Sequence, residues 1–86
     1  MKKLEKMARL NFKAEELSED NKHDKAAILY KCLGKDEYAI QEALKAKKDE
    51  LFEQAAKIYR LYGFEKEAKK MLKIQKGRDL AYSNLW

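Results

Sequence analysis

The stretch AAKIYRLYGFEKEA at residues 55–68 has a diverged copy at residues 26–39, which read AAILYKCLGKDEYA. Five of the fourteen aligned positions are identical, and each is displaced by 29 residues. The identical residues are Ala26, Ala27, Tyr30, Gly34 and Ala39, which recur as Ala55, Ala56, Tyr59, Gly63 and Ala68. Because a unit that recurs with the same small residues packs in the same way each time, the sequence predicts an array of helices rather than a closed bundle.

The composition indicates an all-α fold. The chain has 86 residues, the size of one domain, and contains no Pro, Val or Thr. Strong helix formers such as Ala, Leu, Lys and Glu dominate, whereas the β-branched residues that favour strands are scarce. We therefore predict a single all-α domain.

The spacing of apolar residues predicts five helices, at about residues 3–19, 22–33, 36–47, 50–62 and 64–76, followed by a C-terminal segment at 77–86. Connections this short make consecutive helices antiparallel. Asn21, Gly34 and Gly63 are predicted to end helices in the left-handed conformation. Asp49 is predicted to cap the fourth helix, and Gly77 to end the fifth.

The second copy of the repeat resembles a tetratricopeptide repeat. The residues that fit the helix pair of that family are Phe52, Ala55, Ala56 and Tyr59, then Ala68 and Leu72. The resemblance implies a right-handed α-α superhelix in which the first helix of each pair lines a groove. Two departures are a period of 29 residues instead of about 34, and the lack of a Pro between repeats. The first hairpin also resembles the microtubule-interacting-and-trafficking domains, although five helices exceed that three-helix fold.

The resemblance further implies a non-catalytic protein–protein interaction module that holds a peptide or a partner helix in the groove. If the second and fourth helices are the first helices of their pairs, the partner-binding candidates on them are Asn21, Asp24, Lys31, Glu53, Lys57 and Arg60. A second frame stays open, in which Leu10, Ala14 and Leu17 precede Ala26 and Tyr30 and the second helix is the second member of its pair. Acidic and basic side chains are mixed along these helices, a pattern that suits a charged helical or extended peptide.

The charge distribution supports an alternative function. The formal net charge is +5, and residues 44–86 carry the whole excess, with 11 basic and 6 acidic side chains. A basic stripe on the fifth helix comprises Lys66, Lys69, Lys70, Lys73 and Lys76. Such a stripe would bind nucleic-acid phosphates in a salt-sensitive, sequence-independent way. No aromatic residue is interleaved with these lysines to stack a base.

The C-terminal segment suggests a second alternative, a self-associating structural protein that forms a homo-oligomer. Its apolar side chains are Leu80, Tyr82, Leu85 and Trp86. We expect the segment to fold back at Gly77 and cover the outer side of the fifth helix, because an open array leaves an apolar flank on its terminal helix. Otherwise these side chains form an interface with a second copy or a partner, where aromatic anchors are common.

Few residues in the chain suit catalysis or metal binding. There are one His, one Cys and two Ser. His23 lies among charged neighbours and is expected to be solvated, while Cys32 is expected to be a partly buried apolar side chain. We therefore predict no enzyme activity, no cofactor and no metal. A lone cysteine and the lack of a run of about 18 apolar residues favour a cytoplasmic protein that does not enter a membrane.

Overall fold

A computed structural model describes the backbone of residues 2–84 and the side chains of residues 5–80. The described chain is all-α, with five helices: α1 (Lys2–Glu19), α2 (His23–Cys32), α3 (Asp36–Lys48), α4 (Phe52–Leu61) and α5 (Glu65–Asn84). The predicted fold class is therefore confirmed. The predicted starts of the helices agree with these bounds to within two residues.

The four connections between helices have the same backbone geometry. Each contains one residue in the left-handed region: Asn21 at φ 62°, Gly34 at 73°, Glu50 at 64° and Gly63 at 76°. In every turn, the backbone N–H of the residue after the left-handed one donates to the carbonyl five residues back, over 2.8–2.9 Å. Examples are the hydrogen bonds from Lys22 to Leu17 and from Phe64 to Tyr59. These are Schellman motifs, which satisfy carbonyl groups that a helix end leaves unpaired.

The 29-residue period of the sequence is also the period of the structure. Shifting α2 (His23–Cys32) by 29 residues gives the bounds of α4 (Phe52–Leu61), and shifting the start of α3 at Asp36 gives the start of α5 at Glu65. The left-handed residues follow the same rule, since Asn21 matches Glu50 and Gly34 matches Gly63. The chain therefore contains two equivalent hairpins, α2–α3 and α4–α5, preceded by α1.

Alanines form much of the core. Nine alanines are buried among the described residues and let the helices approach closely. They are Ala14, Ala26, Ala27, Ala39, Ala43, Ala46, Ala55, Ala56 and Ala68. Tyr30, Tyr59, Phe52, Ile58 and Met71 fill the space around them. Tyr30 and Tyr59, which occupy the same position of the repeat, are both buried.

The helices pack in chain order, each against the next, and α2 also packs directly on α4. The radius of gyration is 14.9 Å, compared with about 12 Å expected for a compact domain of this length. The principal extents of 57 × 25 × 14 Å describe an elongated layer. The second hairpin therefore lies beside the first, with α2 and α4 as direct neighbours.

The prediction of a separate C-terminal segment after Gly77 is wrong for the described residues. Helix α5 continues through Gly77 to Asn84, and Gly77 has no positive φ. A glycine inside a helix costs only about 0.5–1 kcal/mol relative to Ala, and Arg78 anchors the next turn. The Arg78 Nη1 atom lies 2.7 Å from Glu50 Oε2, and its guanidinium lies 5.8 Å from the Phe52 ring centroid. The helix therefore has no hinge at which to fold back.

Three smaller predictions also fail. Asp49 does not cap α4, because the chain takes its left-handed turn at Glu50 and Leu51 becomes the N-cap residue without a side-chain hydrogen bond. Cys32 is exposed, since it lies on the side of α2 away from the buried residues of that helix. The apolar pattern of the fifth helix predicts that Phe64 faces inward with Ala68, Met71 and Leu72, but Phe64 is 46% exposed because it precedes α5 in the turn.

Candidate partner-binding surface

The side-by-side contact of α2 and α4 depends on Gln54. Its Oε1 atom accepts hydrogen bonds from the backbone N–H of His23 at 2.7 Å and of Asp24 at 3.4 Å. Its Nε2 atom donates to the carbonyl of Asn21 at 3.0 Å. Because the N-cap residue Lys22 makes no side-chain cap, α4 supplies the cap of α2. Gln54 was not predicted from the sequence, where its only signal is its place in the first turn of α4.

Two more contacts join α2 to α4, and both involve predicted partner-binding candidates. Lys57 Nζ lies 3.8 Å from Asp24 Oδ2. Lys31 Nζ donates to the carbonyl of Leu61 at 2.8 Å and lies 5.3 Å from the Tyr62 ring centroid. Asp24 and Lys31 thus hold α4 in place as well as facing solvent, and the seam between the two helices has mixed charge.

The remaining candidates, Glu53 and Arg60, share the exposed stripe of α4 with Lys57 and border α5. Glu53 is exposed next to Gln75 of α5, where both line a pocket of about 340 Å³. The Arg60 side chain is half exposed, and its Nε atom lies 3.9 Å from Glu65 Oε2. The structure therefore brings Asn21, Asp24, Lys31 and Lys57 together along one seam. It places Glu53 and Arg60 at the border between α4 and α5.

The basic stripe forms a separate surface on α5. Its five lysines are all exposed, and within the described residues none of them takes part in an ion pair. Four of them line an open pocket of about 530 Å³ together with Glu67: Lys66, Lys69, Lys70 and Lys73. The buried face of α5 lies opposite, at Ala68 and Met71.

The expectation of a solvated His23 is wrong. Its ring is 3% exposed, and its Nδ1 atom lies 3.1 Å from Oε1 of Glu42, which is itself 1% exposed. Lys45 Nζ lies 3.1 Å from the other Glu42 oxygen, and Asp49 Oδ2 lies 3.7 Å from His23 Nε2. In the repeat, His23 takes the position of the buried Phe52 and Glu42 that of the buried Met71. A position that is apolar in one unit is thus polar and paired in the other.

Three tyrosines have pKa values above the ordinary value of the residue, two in the repeat and a third at a turn. Burial raises the pKa of Tyr30 and of Tyr59. Burial and the hydrogen bond from its hydroxyl to Asp36 Oδ1, at 2.8 Å, raise the pKa of Tyr62 to about 12. The Tyr62 hydroxyl therefore stays protonated at neutral pH and donates to Asp36.

The apolar C-terminal candidates are only partly described. Leu80 is 56% exposed on α5. The side chain of Tyr82, and the whole of Leu85 and Trp86, lie outside the described residues. Within the described part of the chain, no three His, Cys, Asp or Glu side chains are grouped so as to hold a metal ion. No helix in that part is both long and apolar enough to cross a membrane.

Comparison with known proteins returned no match: no family model, no curated protein and no solved structure resembles the chain closely enough to be matched.

Proposed function

We propose that the chain is a non-catalytic protein–protein interaction module of the cytoplasm that binds a peptide or a partner helix on the α2–α4 side of the array. The observation that supports this proposal is the direct contact of α2 with α4, which aligns two stripes at helical spacing. One stripe contains Asp24, Ile28 and Lys31, and the other Glu53, Lys57 and Arg60. In a right-handed tetratricopeptide-like superhelix, this side would be the concave one.

The chemistry of the two stripes suits a partner with charges of both signs. Each stripe has an acidic residue near its N-terminal end and a basic residue near its C-terminal end. Ile28 is 47% exposed between its charged neighbours and offers an apolar contact. Such a surface favours an amphipathic helix or an extended peptide, in which charged pairs at the rim fix the register.

Site-specific crosslinking tests the proposal. A photo-reactive residue at position 28 should capture one defined protein from the source cell, and the same residue at position 70 on the basic stripe serves as the matched control. Charge reversal by Lys31→Glu should then reduce the affinity for the purified partner. Equal capture from both positions, or none from position 28, would contradict a binding site on the α2–α4 side.

Nucleic-acid binding is the second candidate, and the exposed basic stripe on α5 is the observation that favours it. Titration of the chain with duplex and single-stranded nucleic acid at two salt concentrations separates the two candidates. Binding that persists at about 150 mM salt and weakens in Lys70→Glu and Lys73→Glu would favour this candidate. Self-association of the chain is measured in the same samples by sedimentation.

A further inference from the structure

Helix α4 packs on one surface of the α2–α3 hairpin, and the α4–α5 hairpin has an equivalent surface. Shifting the α2–α3 hairpin by 29 residues gives the α4–α5 hairpin. The two charged residues of α2 that hold α4, Asp24 and Lys31, become Glu53 and Arg60, so the sign of each charge is kept. Asp36, which accepts the hydrogen bond from the Tyr62 hydroxyl, becomes Glu65. We call the surface formed by Glu53, Arg60, Glu65 and Gln75 the α4–α5 edge.

A pocket at the α4–α5 edge matches the place that Gln54 fills in the first unit. Its lining residues are Glu50, Leu51, Glu53, Gln54 and Gln75, around about 340 Å³. The first three match Asn21, Lys22 and Asp24, which surround the Gln54 side chain where it bonds to the Asn21 carbonyl and the Asp24 N–H. The pocket therefore has the size and lining to receive a glutamine side chain from a helix lying beside α4.

We propose that the α4–α5 edge binds an amphipathic helix of a partner protein, which lies beside α4 as α4 lies beside α2. This inference rests on the proposed function and names its partner class. The contacts of α4 itself give the pattern of the bound helix. A Gln enters the pocket, a Lys three residues later pairs with Glu53, and a Tyr eight residues after the Gln donates to Glu65.

The described chain does not supply this helix itself. After α3 the backbone turns back at Glu50 to form α4, whereas at the matching position, Asp79, α5 continues as a helix. A second copy cannot offer its α4, because Ala55, Ala56 and Tyr59 of that helix are buried in its own core. A separate protein is thus the occupant that fits.

The edge is also more polar than the equivalent internal contact. Gln75 takes the position of the fully buried Ala46, and Lys69 that of the half-buried Ile40. Polar groups at such positions can be solvated when the edge is free, so they suit a contact that forms and dissociates rather than a permanent part of the core. Lys69 further favours a partner helix that carries an acidic residue on its flank.

A peptide with the sequence of residues 50–64 is the probe, because it contains the Gln, Lys and Tyr of the pattern. Fluorescence anisotropy measures its binding to the full chain. Replacing Glu53→Lys in the chain should weaken binding about fivefold, since an exposed pair becomes a repulsion. Replacing the Lys of the peptide by Glu should weaken binding to the original chain by a similar factor and restore binding to the Glu53→Lys chain. Lys66→Glu on the basic stripe is the matched control and should leave the affinity unchanged.

The proposal is overturned if the peptide does not bind saturably or if Glu53→Lys in the chain leaves its affinity unchanged. It is also overturned if the peptide with Glu in place of Lys does not restore binding to the Glu53→Lys chain. Exchange of the peptide for α4 of the same chain would also overturn it, and circular dichroism together with amide exchange of α4 detects that event. Binding that depends on Lys31 but not on Glu53 would overturn the edge while leaving the proposed function of the α2–α4 side intact. In that case, capture of a protein from position 28 in the crosslinking experiment would still support the proposed function.

Discussion

The buried pair of His23 and Glu42 is replaceable by the residues that the chain itself uses at the matching positions. We predict that the double variant His23→Phe with Glu42→Met is at least as stable as the original chain, although each single change is destabilising. The second unit has Phe52 and Met71 at these positions, both buried, so the side chains to be introduced already fit an equivalent backbone.

The magnitudes follow from the contacts of the pair. Glu42→Met removes the acceptor of His23 Nδ1, which is then left inside the protein without a partner, at a cost of about 1–3 kcal/mol. His23→Phe leaves the 1% exposed Glu42 carboxylate with Lys45 as its remaining partner, at a similar cost. Replacing both removes two desolvated polar groups together, and such replacements are often neutral or stabilising by about 1–4 kcal/mol. The larger Phe ring can extend toward the adjoining open pocket of about 370 Å³ that His23 lines.

Thermal and urea unfolding of the four proteins provides the assay, and a double-mutant cycle gives the coupling energy. For a domain of this size, about 1 kcal/mol corresponds to about 4–8 °C in Tm. Each single variant should melt below the original chain and the double variant at or above it. The reciprocal variant Phe52→His with Met71→Glu is the control. It should be destabilised, because Ile74 and Arg78 stand where Lys45 and Asp49 support the natural pair. If the two single losses simply add in the first double variant, the equivalence of the two units is refuted.

Four further substitutions test the packing of α4 on α5, the backbone at two glycines and the Tyr62 hydroxyl. Ala56→Leu should overpack the contact of α4 with α5 and cost about 1–3 kcal/mol of unfolding free energy, whereas an unchanged urea midpoint would show that these helices pair differently. Gly63→Ala should lower the free energy of unfolding by about 1–2 kcal/mol because Gly63 has a positive φ, and Gly77→Ala should raise it by about 1 kcal/mol because Gly77 lies inside α5. Neither added Cβ atom meets a neighbour within 4 Å, so a loss of stability at both positions would indicate a break of the helix at Gly77. Tyr62→Phe should remove part of the loss of stability at alkaline pH. The pKa of Tyr62 in the folded protein, about 12, lies above the unfolded value near 10, so stability falls as the pH rises through this window. Identical unfolding curves of the two proteins at pH 9 and pH 11 would contradict the Tyr62–Asp36 contact.

The sequence was sufficient to predict the helices and most of their ends, because local rules decide them. Gly34 and Gly63 adopt a conformation that other residues avoid, and Asn21 is one of the few residues that tolerates it. Glu50 was missed because its side chain has no such preference. Its displacement of 29 residues from Asn21 was the signal that could have identified it.

The interactions between helices were harder to predict, because they depend on residues distant in sequence. His23 stands among Lys22, Asp24 and Lys25, and the charges of these neighbours suggested solvent exposure. Its buried position is set instead by Glu42, which lies 19 residues away. Gln54 is comparable, since its role as a cap of α2 depends on a neighbour that is 31 residues away in sequence. Helix α5 passes through Gly77 because contacts of Arg78 with Glu50 and Phe52, which local propensity does not include, hold the next turn.

Because the four turns share one backbone geometry, a gene for this chain can be lengthened by duplication. A tandem duplication of the 29 codons for residues 35–63 would join Gly63 to a second Lys35, which reproduces the Gly–Lys junction already present at residues 34–35. The inserted hairpin would begin and end at backbone positions of matching geometry, and no new joint would have to evolve. A closed bundle has no such insertion point, because an added pair of helices must displace existing ones. Duplication in whole hairpins thus offers this architecture a route to longer descendants in which each step yields a chain that can fold.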